Sequence, residues 1–85
     1  MYRIVDGVRS VQSRDGGVVL DISHGKLVRL NPIGSLIFDQ LQQGRTEDQI
    51  VDRISREFDA PFPTVQSDVR EFLKTLEEQQ LLCDD

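Results

Sequence analysis

Three short punctuation marks constrain this chain more than anything else in it: Arg14-Asp15-Gly16-Gly17, Ser23-His24-Gly25 and Asn31-Pro32. The apolar runs between them are too short for helices and suit strands. Asp-Gly and Gly-Gly supply the positive φ that a tight hairpin demands. Val8-Arg9-Ser10-Val11-Gln12-Ser13, Val18-Val19-Leu20-Asp21-Ile22 and Lys26-Leu27-Val28-Arg29-Leu30 are therefore expected to form an antiparallel meander. In the middle run Val18, Leu20 and Ile22 fall on one face. Tyr2-Arg3-Ile4-Val5 is a candidate lead-in strand.

After residue 30 the hydrophobic period changes from strand to helix. Asn31 is placed to cap a helix and Pro32 to occupy its first position, where a missing N–H costs nothing. Ile33, Leu36, Ile37 and Leu41 then recur at helical spacing, and Gly44 ends the run. Thr46-Glu47-Asp48-Gln49 is a capping-box pattern, with Ile50, Val51, Ile54 and Phe58 as the buried stripe of a second helix. Pro61 and Pro63 break the chain and Thr64 can cap a third helix. Its apolar face is Val65, Val69, Phe72, Leu73 and Leu76, and Leu81-Leu82 closes the core. The expected fold is α+β, a three-stranded antiparallel β-sheet followed by a three-helix bundle. Its ingredients are winged-helix-like, although here the strands come first. A single domain is expected over residues 1–85, with strands at about 8–30 and helices at about 32–80.

Several function classes are disfavoured. The chain has one cysteine, Cys83, and one histidine, His24, so an internal disulfide is excluded and neither residue has the neighbours of a metal or nucleophilic site. The carboxylate pairs Glu47/Asp48, Glu77/Glu78 and Asp84/Asp85 are adjacent, and neighbours on a helix point apart. Asp15-Gly16-Gly17 lacks the lysine and hydroxyl of a phosphate-cradling loop. No enzyme, cofactor or metal is expected. No apolar run approaches the roughly 18 residues of a membrane span, and Met1 to Asp6 has no signal-peptide core, which points to a cytoplasmic protein without a membrane partner.

Charge bears on nucleic acid. Residues 1–45 carry six bases and four acids, and residues 46–85 carry four bases and eleven acids. A winged-helix regulator would lay its third helix in a groove, yet that helix sets Asp68, Glu71, Glu77 and Glu78 against only Arg70 and Lys74. Such a helix repels phosphates, so no nucleic-acid partner is expected. An interaction surface is left. Lys26 to Leu30 is an edge strand, and its two charges read first as protection against aggregation, with an edge that accepts an added strand as the alternative. Periodicity alone leaves both open.

The segment from Asp15-Gly16-Gly17-Val18-Val19-Leu20-Asp21 through Gly25-Lys26-Leu27-Val28-Arg29-Leu30-Asn31-Pro32-Ile33-Gly34 resembles the PqqD-like family, the recognition elements of ribosomally made, post-translationally modified peptides. The likeness continues through Leu41-Gln42-Gln43-Gly44-Arg45-Thr46, Asp68-Val69-Arg70-Glu71-Phe72-Leu73 and Gln80-Leu81-Leu82, and covers about residues 8–82. It implies a non-catalytic protein that binds the leader of a precursor peptide as an added strand. A chain of this size beginning at Met1 is most similar to the free-standing recognition proteins of lasso-peptide pathways, which deliver the precursor to a separate leader peptidase of cysteine-protease type. The pyrroloquinoline quinone biosynthesis chaperone is the alternative within the family. Carried onto this sequence, the binding strand is Lys26, Leu27, Val28, Arg29 and Leu30. The facing helix contributes Val65, Asp68, Val69, Phe72 and Leu76. Many relatives carry an aromatic residue where this chain has Leu27-Val28. On the same resemblance Lys26 and Arg29 could pair with leader acids and Asp68 with a basic or hydroxyl group, a plain surface role being the alternative for each.

Overall fold

The computed structural model describes residues 2–84. Eight elements follow one another: β1 (Tyr2–Ile4), β2 (Val8–Ser13), β3 (Gly16–Asp21), β4 (Lys26–Leu30), α1 (Pro32–Gln42), α2 (Glu47–Glu57), α3 (Phe62–Glu78) and β5 (Leu82–Asp84). The class is α+β. Its main sheet is the expected antiparallel meander, in the order β2-β3-β4. Two strands lie outside it: β1 pairs antiparallel with β5, Arg3 opposite Cys83. The lead-in strand thus exists, but it joins the chain's far end and not the meander.

The first turn takes the first half of the Arg14-Asp15-Gly16-Gly17 cluster. Ser13 pairs with Gly16, so Arg14 and Asp15 make the turn and both glycines belong to β3. Gly16 has φ +132, and a Cβ there would run into the carbonyl oxygen of Leu30 on β4. Only glycine fits that position.

The sheet's inner face is also the reverse of what apolar content suggests. Cross-strand partners share a face, so Ser10, Val19 and Val28 form one inner row and Val8, Asp21 and Lys26 another. Val19 is fully buried while Leu20 and Ile22 are 42% and 65% exposed. The face shared by Val18, Leu20 and Ile22 is the outer one. Asp21 is buried on the inner side, its Oδ2 2.7 Å from Nδ1 of exposed His24.

α1 fills the middle of the molecule, against the sheet on one side and the other helices on the other. Asn31 caps it, its side chain accepting from Gly34 N–H at 2.6 Å. Being covered on two sides, it buries Ile37, Leu41 and also Phe38, which has no exposed surface. Ile33 is 39% exposed at its first turn. α2 begins with the capping box formed by Thr46 and Gln49. It buries Ile50, Val51 and Ile54, but Phe58 lies beyond its last turn and is half exposed. α3 starts at Phe62, ahead of Thr64, which does not cap it. Pro61 precedes the helix and Pro63 stands in its first turn, where no N–H is missed. Val65, Val69, Leu73 and Leu76 are buried, Phe72 is half buried, and Leu81 and Leu82 complete the core. No helix among the described residues is long and apolar enough to cross a membrane.

Candidate functional site

β4 is the last strand of its sheet, so the direction of each of its backbone groups decides what its open side offers. The N–H of Ile22 donates to the carbonyl of Gly7 at 3.1 Å, which makes residues 7 and 22 a hydrogen-bonded pair. Antiparallel ladders alternate bonded and non-bonded pairs. With the register unbroken, Arg9–Leu20 and Val11–Val18 are bonded pairs. Gly17, Val19 and Asp21 then turn their groups the other way, toward Leu30, Val28 and Lys26. The N–H and C=O of Val28 are therefore spent inside the sheet. Those of Leu27 and Arg29 point out of it, giving β4 a free edge with two donors and two acceptors.

Side chains alternate by face in the same strand. Leu27 (57% exposed) and Arg29 stand on the outer face; Lys26, Val28 and Leu30 face the helices. Lys26 is half buried and its Nζ donates to the carbonyl of Gln79, the residue capping the end of α3, at 2.9 Å. The ammonium is thus held at a helix C-terminus, where the dipole favours a cation. It acts as a strut between β4 and α3, and its charge is engaged inside the chain. Leu30 is core.

β4 rests on β3 and α1, whereas α3 rests on α2 and β5, and Lys26 ties β4 to the C-terminal end of α3. From Asn31, the residue that follows β4, to the first turns of α3 runs an apolar groove, a hollow of about 410 Å3 that no β4 residue lines. Four of the α3 residues expected at a binding site line it: Val65, Asp68, Val69 and Phe72. Leu76 does not; at 1% exposure it belongs to the core. Asn31, Ile33, Gly34, Ile37, Ile54, Phe58 and Ala60 complete the lining. Phe58 is among them because it is not buried by α2, which its helical spacing concealed. The Phe72 ring packs on the bare backbone of Gly34, where a Cβ would come within 3.0 Å of it. Asp68 is exposed, the one charged side chain at the rim.

A larger and more open hollow, about 680 Å3, lies among Arg45, Glu47, Asp48, Arg70, Lys74 and Glu77. Its charges are of both signs, and Arg70 is already paired with Glu47 at 3.4 Å. Tyr2 of β1 and Leu41 add an apolar part to its lining, but charged side chains dominate it. Among the described residues no group of three His, Cys, Asp or Glu side chains is placed to hold a metal ion.

Comparison with known proteins bears on this geometry. The family model of coenzyme PQQ synthesis protein D (PqqD) matches residues 16–82, from the first residue of β3 to the start of β5. Among solved structures, TbiB1 in complex with the TbiA(beta) leader peptide superposes with a TM-score of 0.90 at 35% identity, covering 98% of this chain and 99% of that one. A lasso peptide synthetase B1 complexed with the leader peptide gives a TM-score of 0.87 at 20% identity, covering 98% of each chain. At that identity the second likeness shows the fold alone. No curated protein matches the sequence.

Proposed function

Because the chain belongs to the PqqD family, we propose that it is a non-catalytic recognition protein that captures the leader of a ribosomal precursor peptide by adding it as a fourth strand to β4. The observation that carries this reading is the free edge at Leu27 and Arg29 beside the apolar hollow under Phe72. Main-chain groups bind any extended peptide, and the hollow selects among side chains. Inward-facing residues of the added strand would meet Val28 and α3, and one apolar side chain would enter beyond Asn31, with Asp68 at the rim for a basic or hydroxyl group. The groove offers backbone groups and apolar walls, which bind and do not react.

The pathway we assign is lasso-peptide biosynthesis. TbiB1, the relative at 35% identity, was solved with a leader peptide, and the likeness runs the length of both chains. In this reading the protein works in the cytoplasm and delivers its cargo to a separate leader peptidase of cysteine-protease type. Ordering a flexible leader costs free energy and holds affinity to a moderate level, as a carrier that releases its cargo requires. The family description itself favours a second reading, service to the peptide precursor of pyrroloquinoline quinone. Calorimetric titration with synthetic leaders of the two kinds separates them. Saturable 1:1 binding of the lasso leader alone is expected; binding of the quinone precursor alone would move the protein to the other pathway, and binding of neither would overturn leader recognition.

A further inference from the structure

The main sheet has a second edge, on β2. Because residues 7 and 22 are a hydrogen-bonded pair, the backbone groups of Arg9, Val11 and Ser13 turn toward β3, and those of Val8, Ser10 and Gln12 turn away from it. No strand among the described residues pairs with that side. The usual guards of an edge are missing: β2 has no proline and no lysine, and its register with β3 runs without a bulge from Val8 to Ser13. Of the outward groups, the Val8 carbonyl accepts from the neighbouring Arg9 guanidinium at 3.3 Å, a local bond that is easily given up. The recess beside β2 is small, about 240 Å3, and Gln12, Ser13 and Asp39 make much of its lining polar.

We propose that β2 is the interface of a two-fold homodimer, in which the β2 strands of two copies pair antiparallel about Ser10 and join the two main sheets into one. The outward groups sit on even-numbered residues, so a symmetric pair within the strand can be centred on Arg9, Ser10 or Val11. Centring on Arg9 sets that residue opposite its own copy, a like-charge pair. Centring on Val11 leaves Val8 without a partner inside the strand. Centring on Ser10 places Val8 opposite Gln12 and Arg9 opposite Val11, so every outward group of β2 is used. It also brings Arg14 of one copy beside Asp6 of the other, at both ends of the pair. Asp6 and Arg14 are exposed, and among the described residues neither has an ion pair within its own chain.

Register and charge select a second copy over an extended peptide. A strand added to β4 has the hollow under Phe72 to choose among its side chains, and β2 has nothing comparable. A second copy needs no such pocket, because its own turns carry the opposite charges that fix the register. The two-fold contact also closes on itself, leaving no β2 edge from which a chain of copies could grow. β4 lies on the far side of β3 from β2, so each copy keeps its β4 edge free at an outer end of the joined sheet. Dimerisation depends on β2 alone and stands whether or not β4 takes a leader.

Sedimentation velocity on the full chain, over a concentration series at low salt, tests this. The wild type should pass reversibly from monomer to dimer on the order of tens of micromolar, as suits an interface below the standard size. Ser10→Pro removes an outward N–H and should weaken dimerisation by about tenfold or more, with thermal unfolding to check that it is folded. The charge variants Arg14→Asp and Asp6→Arg, at exposed turn positions, decide the matter even if that proline is not tolerated. Each alone sets like charges together at both ends and should weaken self-association by about fivefold. Mixed in equal amounts, the two should form a heterodimer within about threefold of wild-type affinity, since each supplies the charge the other lacks. Leader affinity of the folded variants should stay within about twofold of wild type, because none of the three residues lies on β4 or in the hollow. A wild type that remains monomeric at about 1 mM would overturn the proposal. So would single charge variants that dimerise as the wild type does, or a mixture that restores nothing. A dimer that saturating leader takes apart would also overturn it, by placing the interface on β4; failure of the wild type to bind leader would refute strand addition on β4 and leave the dimer standing.

Discussion

Placing proline in turn at two neighbouring positions of β4 separates a strand that binds through its free edge from one that merely ends a sheet. Arg29 has its N–H on the open side, and Val28 has its N–H bonded to the carbonyl of Val19, a residue with no exposed surface. Proline removes the donor in both cases. Arg29→Pro should leave the fold intact, because proline is tolerated on an edge strand when its missing N–H would have faced solvent. Val28→Pro orphans a buried acceptor, at a cost of about 1–3 kcal/mol. For a domain of this size that is a fall in Tm of at least about 4 °C. Binding shows the opposite weighting. The edge offers one N–H and one C=O each from Leu27 and Arg29, about 1 kcal/mol apiece on a net basis. Arg29→Pro removes one donor, and the ring fills the space where the peptide's acceptor would sit, so about 2 kcal/mol and roughly 30-fold in Kd should be lost. Calorimetric titration gives the Kd, and thermal unfolding by circular dichroism gives the stability. If Arg29→Pro is folded and binds leader as tightly as wild type, strand addition on β4 is wrong. If Val28→Pro melts with the wild type, the assignment of inward and outward groups is wrong.

Other consequences address the groove and its frame. Asp68→Asn removes an exposed rim charge, so stability should hold within about 0.5 kcal/mol while the salt dependence of leader binding changes. Gly34→Ala gains helix propensity but pushes the Phe72 ring; unfolding should shift by no more than about 1 kcal/mol, with leader affinity clearly reduced. Lys26→Met keeps the aliphatic stem and loses the strut to Gln79, which should lower stability by about 1 kcal/mol in denaturant titration. Leu73→Ala hollows the core behind the groove at a cost of about 2–5 kcal/mol, and its leader affinity should follow the folded fraction.

Local chemistry made much of this fold legible in the sequence. The Asn31 cap and the Thr46–Gln49 capping box announce their helices because both signals are short-range and depend on side chains bonding nearby backbone. The meander is legible for the same reason, from the Arg14-Asp15-Gly16-Gly17 cluster that contains its first turn and from Gly25 in its second. What stayed hidden depends on distant partners. Nothing near Leu82 says that it will pair with Ile4, because the contact closes nearly the whole chain. The middle strand is apolar on both faces, so its pattern does not say that Val19 is buried and Leu20 open. Phe38 was not part of the stripe of Ile33, Leu36, Ile37 and Leu41 and is buried because α1 is covered on two sides. Pro61 and Pro63 read as breakers, yet the second stands in the first turn of α3. The groove was half legible. Its α3 wall follows from helical spacing, but Phe58 joins it because α2 ends a residue short. The free edge at Leu27 and Arg29 follows from a hydrogen bond between Gly7 and Ile22.

The central claim is that a peptide binds to the outward groups of β4, and amide hydrogen exchange tests it residue by residue. In the free protein the Leu27 and Arg29 amides should exchange fast and the Val28 amide slowly. Saturating leader peptide should protect Leu27 and Arg29 and leave Val28 protected as before. Protection appearing at Ser10 on β2, or nowhere along β4, would contradict the account.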